Sequence, residues 1–178
     1  INAIAIEGYW SNRATTESDA YALTAAKQIL KMLPQAHDRG EDTDARRDML
    51  EASLNAGLTI SNARTTACHA VSYPMTVYYQ VPHGTACGML LPSFIRYNAG
   101  NLADQKENRL LNALGIPCME HLACNVEEMK EAINLPSRLS QLGLGPEAIS
   151  TIVDHGFRKD RMSNNPRLVT AEDLRPML

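Results

Sequence analysis

No run of apolar residues comes near the roughly 20 that a helix needs to cross a bilayer, so the sequence predicts no membrane span. Neither sign of charge is in excess: 17 Lys and Arg stand against 20 Asp and Glu, for a net charge of −3. With a pI near 6.0, that balance gives no electrostatic case for nucleic acid or an anionic membrane as partner. Four cysteines in 178 residues (Cys68, Cys87, Cys118, Cys124) are too sparse for a disulfide scaffold. They read as reduced thiols in a cytoplasmic protein. No signal-peptide pattern opens the chain. It begins without Met, inside an apolar helical pattern with no capping residue, which reads as a cut through a longer protein. There is no strand alternation, no internal repeat and no low-complexity linker. No Gly-rich loop follows a strand, as a βαβ dinucleotide site requires.

What is present is helix. Residues 3–10 look like the tail of one. Thr16-Glu17-Ser18-Asp19 reads as a capping box with Asp in place of Glu. It opens a helix with Ala20, Leu23, Ala26, Leu30 and Leu33 on one face, interrupted or bent by Pro34 and ended by Gly40. Asp42 or Thr43 starts the longest helix, reaching about Asn62, with Met49, Ser53, Ala56 and Ile60 as its inner stripe. Residues 67–78 follow, with Pro74 inside, and Pro82 suits the first turn of a helix running to about Tyr97. Later helices are expected over 102–114, 126–134 (capped by Asn125 with Glu128), 136–142 and 146–155, and Thr170-Ala171-Glu172-Asp173 caps a last one. The fold class is all-α, a single multi-helix, bundle-like domain over 1–178.

The chemistry centres on His69 and His83, which flank one short helical segment. Pro82-His83-Gly84 forms a corner that restricts where the second ring points. Imidazole is the commonest protein ligand for divalent transition metals. Cys118, His121 and Cys124 invite a zinc reading, but the outer pair, six apart, diverge on a helix and no further ligand lies close by. Buried small hydrophobes are the simpler account of those cysteines. Glu127, Glu128 and Glu131 read as a solvated helix face, and Arg46-Arg47 and Arg158-Lys159 as surface charge. His37, His121 and His155 belong to no constellation.

The order of short motifs carries more. Ala5-Ile6-Glu7-Gly8-Tyr9-Trp10-Ser11 comes first, then Ser61-Asn62-Ala63, then Thr65-Thr66-Ala67-Cys68-His69-Ala70. Ser72-Tyr73-Pro74, Val81-Pro82-His83-Gly84, Leu90-Leu91-Pro92, Arg96-Tyr97-Asn98 and Met162-Ser163-Asn164-Asn165-Pro166 follow. Together they resemble the C-terminal, metal-binding helical domain of the iron-containing (group III) alcohol dehydrogenases. The resemblance covers nearly the whole chain.

It implies the helical half of a two-domain, dehydroquinate synthase-like architecture whose α/β dinucleotide-binding domain is absent from this chain. It implies an NAD(P)-linked, metal-dependent alcohol dehydrogenase or aldehyde reductase acting on a small alcohol or aldehyde, with self-association open. The cofactors implied are a divalent metal, with iron the family expectation and zinc an equal fit to imidazole, and NAD or NADP in the intact protein. His69 and His83 are two of four implied metal ligands. The other two, an Asp and a His four residues apart, align with the position immediately before Ile1 and with Ile4, which cannot coordinate.

Tyr73 stands where family members often carry a proton-relaying His, either as that relay or as a buried aromatic with a locally bonded hydroxyl. Arg64, with the hydroxyls of Thr65 and Thr66, is placed to grip a phosphonate, phosphate or carboxylate. That grip points to the phosphonoacetaldehyde reductase branch; a solvated Arg64 is the alternative. Two further accounts stay open. One is a non-catalytic helical domain with a degenerate metal site, favoured by Ile4 and disfavoured by the lack of a long exposed apolar stripe. The other is a metal-dependent lyase of the dehydroquinate synthase type. The fragment alone is expected to be inactive.

Overall fold

A nine-residue helix, α1 (Asn2–Trp10), is buried along almost its entire length. A helix apolar all round belongs in a core, and the computed structural model, which describes residues 1–103 and 105–178, places it there. It packs against α2 (Thr16–Asp38), α3 (Thr43–Ala63), α4 (Ala67–Tyr79) and α5 (His83–Asn98). Outside this centre lie α6 (Lys106–Leu114), α7 (Met119–Ala132), α8 (Pro146–Gly156), α9 (Lys159–Met162) and α10 (Ala171–Leu174), with 3-10 turns at Leu139–Leu142 and Arg175–Met177. No strand occurs among the described residues, and none of their helices is long and apolar enough to cross a membrane.

Local signals set most boundaries, with instructive shifts. The box that starts α2 is Thr15 with Ser18, one residue earlier than the Thr16–Asp19 pattern predicts. The Ser18 amide donates to Thr15 Oγ1 at 3.1 Å, and the Thr15 amide donates to Ser18 Oγ at 2.8 Å. Pro34 lies within α2 and does not end it. One missing backbone bond is outweighed by the packing of a 23-residue helix. Helix α7 begins seven residues before the expected start, so Asn125 is interior and caps nothing. The apolar positions Met119, Leu122, Ala123, Val126 and Met129 form a continuous buried stripe that overrides the cap signal. Helix α6 starts at Lys106, so Leu102 and Ala103 precede it, and Asp104 lies outside the described residues. Of 136–142, only the 3-10 turn is helical.

The buried line of α3 is Ala45, Ala52, Ala56, Thr59 and Ala63, rotated from the expected Met49–Ile60 stripe. Small side chains let α1 and α2 approach closely. A Cβ added at Gly8 would lie 2.2 Å from Thr59 Cγ2. Gly8→Ala is therefore expected to lower stability by about 1–3 kcal/mol through overpacking. Adding Thr59→Ser, which removes that methyl, should recover part of the loss; urea midpoints of the two variants check this. The opposite face of α3 exposes Leu50 (73%), Leu54 (63%) and Leu58 (37%) at four-residue spacing. This corrects the expectation of no exposed apolar stripe: alanines fill the inner face and leave the leucines outside.

Glu127 is more than a solvated face residue. Arg96 of α5 donates to Glu127 Oε1 at 2.6 Å and to Glu120 Oε1 at 2.8 Å, tying α5 to α7. These bonds hold both carboxyls below their ordinary value of 4.5. A depressed carboxylate stabilises the fold above its unfolded pKa and loses that contribution as pH falls through the folded one. Arg96→Met should thus lower stability at neutral pH and flatten its decline on the acid side of pH 4.5, as thermal midpoints across that range would read. Cys118 and Cys124 are half-buried, not core hydrophobes as expected. The Cys118 thiol lies 3.1 Å from His121 Nδ1.

Candidate metal centre

The carboxylate of Glu7 is fully buried at the junction of α1 and α4. It meets the first turn of α4, where backbone N–H groups lack helical partners. Glu7 Oε1 accepts from the Thr66 amide at 3.1 Å, the Thr66 hydroxyl at 2.5 Å and the His69 amide at 3.3 Å. Glu7 Oε2 bonds His69 Nδ1. Trp10 Nε1 donates to Thr66 Oγ1 at 3.1 Å, closing the shell.

This arrangement fixes the His69 ring. Its Nδ1–H faces Glu7, so Nε2 is the ring nitrogen on which a metal would replace a proton, the usual carboxylate–histidine support of a metal ligand. Burial pushes Glu7 up, but the His69 charge and four hydrogen bonds hold it below its ordinary value. Burial likewise pulls His69 down, and the Glu7 charge overcomes it, raising the imidazole to about 10.

His83 arrives from the other side. Gln80 ends α4 in a left-handed conformation (φ 55), and Pro82 caps α5 so that His83 is its first residue. The two imidazole centroids are 5.4 Å apart at 69°. Cys87, one turn after His83 on α5, completes a trio whose donor atoms all lie within 4.8 Å of one another. Ser72 braces the group: its hydroxyl donates to the His69 carbonyl at 2.8 Å and accepts from Cys87 Sγ at 3.2 Å. His69 and Cys87 are buried, and His83 is exposed, so the cluster opens on the His83 side. Cys87 also lines a cavity of about 90 Å³, together with Asn2 and Lys130 among others. Both amide atoms of Asn2 are buried there without a partner among the described residues. Two imidazoles and a thiol, one imidazole braced by a carboxylate, fit a divalent transition metal.

Tyr73 stacks on His83, with centroids 5.4 Å apart and planes at 13°. It is 48% exposed, which corrects the alternative of a buried aromatic. Arg64 is exposed at the end of α3, with a positive φ of 60 and an extended ψ of 171. The hydroxyls expected to assist it are engaged elsewhere: Thr66 with Glu7 and Trp10, Thr65 with Arg161 Nη1 at 3.2 Å. Ile4 is packed against the core and offers no donor. The structure thus brings His69, His83 and Tyr73 together and leaves Arg64 out of their contacts. Two residues were missed by sequence reasoning. Cys87 had a signal, the four-residue His83–Cys87 spacing; Glu7 had a weaker one, a carboxylate inside an apolar helix.

A family model described as "Fe-containing alcohol dehydrogenase family, C-terminal" matches residues 3–178. The chain is 32% identical to a phosphonoacetaldehyde reductase of Streptomyces viridochromogenes, over 97% of this chain and 45% of that protein. It is also 32% identical to a 1-propanol dehydrogenase of Salmonella typhimurium, over 98% and 50% respectively. Among solved structures, sulfoacetaldehyde reductase from Bifidobacterium kashiwanohense, in complex with NAD+, superposes with a TM-score of 0.93 at 32% identity, over 99% of this chain and 46% of that one. The chain spans about half the length of the relatives it matches.

Proposed function

Because this chain belongs to the iron-containing alcohol dehydrogenase family, we propose that it is the metal-holding, helical part of an NAD- or NADP-linked alcohol dehydrogenase or aldehyde reductase. The observation that carries this reading is the convergence of His69 and His83 over a carboxylate-braced corner open to solvent. His69 and His83 would hold a divalent metal there, iron by family expectation or zinc by ligand type, which would supply Lewis acidity toward a carbonyl or alcohol oxygen. The chain's own residues do the rest on this side of the cleft. Glu7 orients His69 and fixes its tautomer. His83 presents its ring at the exposed edge. Tyr73, stacked on that ring, lies at the surface where its hydroxyl can pass a proton between substrate oxygen and water.

One finer reading has a specific observation behind it. Two of the relatives at 32% identity are named for aldehydes that carry an anionic group, phosphonate in one and sulfonate in the other. We propose Arg64, whose guanidinium has no hydrogen-bond partner among the described residues, as the cation for such a group. Steady-state assays of the intact protein loaded with Fe²⁺ test both readings, using NADH or NADPH with propanal and with phosphonoacetaldehyde. Turnover that disappears with a chelator is expected. If the anionic aldehyde is the substrate, Arg64→Ala should raise its KM about tenfold or more and leave propanal unaffected. A protein that neither binds metal nor turns over either aldehyde would be a non-catalytic helical domain.

A further inference from the structure

The family pattern accounts for two of the three converging donors, His69 and His83, and its first-helix histidine is replaced by Ile4. We propose that Cys87 is a metal ligand in this protein and that its thiolate makes up for the donor lost at position 4. The proposal rests on the metal reading above and adds a ligand to it.

Three observations carry it. Cys87 Sγ lies 3.7 Å from His83 Nε2. Metal–ligand bonds of 2.0–2.3 Å in a tetrahedron put N and S ligand atoms about 3.5 Å apart, so the pair already has nearly the required bite. The spacing is built in, since His83 and Cys87 are one helical turn apart on α5 and so lie along one side of it. Finally, Cys87 is 4% exposed and its sulfur lies within 4.8 Å of a ring nitrogen of both His69 and His83, so it faces the cluster. The thiol makes weak, sulfur-type contacts, to Ser72 Oγ at 3.2 Å and to the His83 ring, and it also bonds the His69 side chain. Binding forms a metal–sulfur bond and sends the thiol proton to solvent, with no change in oxidation state. A thiolate beside two imidazoles shifts preference toward softer, more tightly bound ions, and zinc should compete with iron more strongly here than at an all-imidazole and carboxylate site.

Cobalt substitution of the intact protein tests it. Co²⁺ bound at one equivalent should show visible ligand-field bands together with a near-ultraviolet thiolate-to-cobalt charge-transfer band. Cys87→Ser should keep the visible bands, lose the charge-transfer band and weaken Co²⁺ and Zn²⁺ at least about tenfold in chelator competition. Cys118→Ser with Cys124→Ser, both half-buried positions outside the trio, should keep every band. Cobalt bound with no charge-transfer band, or a band that survives Cys87→Ser, overturns the proposal while leaving the metal reading intact. Failure to bind Co²⁺ at all overturns both.

Discussion

Glu7→Ala is expected to destabilise the metal-free protein by about 3–5 kcal/mol, the usual cost of breaking a buried ion pair from one side. The reason is what Glu7 leaves behind. The Thr66 amide, the Thr66 hydroxyl, the His69 amide and His69 Nδ1 all point at its two oxygens in a site closed to water. An alanine strands those donors and removes the charge that keeps the buried imidazole protonated. Glu7→Gln keeps the volume and one acceptor oxygen, so its cost should be smaller. Its amide nitrogen nevertheless faces a donor. With the imidazole less firmly held, metal affinity should fall about 10–100-fold, as for other carboxylates that brace a ligating histidine. Chemical denaturation of the metal-free protein reads the first effect and chelator competition the second. A loss under about 1 kcal/mol for the alanine variant would mean the pocket refills with water and the pair is not an ion pair.

How much of this was legible beforehand depends on the range over which each signal acts. Helix content and the all-α class follow from periodicity and caps, which act within a few residues, and α3, α4, α5 and α8 begin within a residue or so of where those signals place them. Where a cap signal competed with apolar periodicity, as at Asn125, periodicity prevailed because burial of a whole stripe outweighs a single capping bond. The face that α3 buries depends on its neighbours: alanine-sized positions win when Gly8 demands a close crossing. His69 and His83 were found through the order of their motifs. Glu7 escaped because its partner is 62 residues away, and no local pattern encodes that pairing. Tyr73 is equally suited to a core position by type, and only its place on the outer side of α4, between buried Ser72 and Pro74, exposes it.

His83 and His69 should separate cleanly when each is replaced by alanine, and this contrast bears most directly on whether the cluster exists to hold a metal. His83 is exposed, and its ring touches Tyr73, Cys87 and Ser72 through stacking and long contacts. Removing it should change stability by no more than about 0.5 kcal/mol, as for other surface substitutions. Metal affinity should nevertheless drop by about two orders of magnitude or more, since one strong donor is lost from a small set. His69→Ala should do both at once. It removes a donor and leaves the Glu7 carboxylate, with no exposed surface, facing no cation, so about 3–5 kcal/mol of stability should go with it. Two rings 5.4 Å apart would thus give very different losses of stability and the same loss of metal. A purely structural pair of histidines gives the same stability contrast, because that contrast follows burial, but leaves metal content unchanged in both variants. Metal analysis and denaturation midpoints on the same two preparations distinguish the cases, because a site built for a metal gives up function at its exposed edge without giving up the fold.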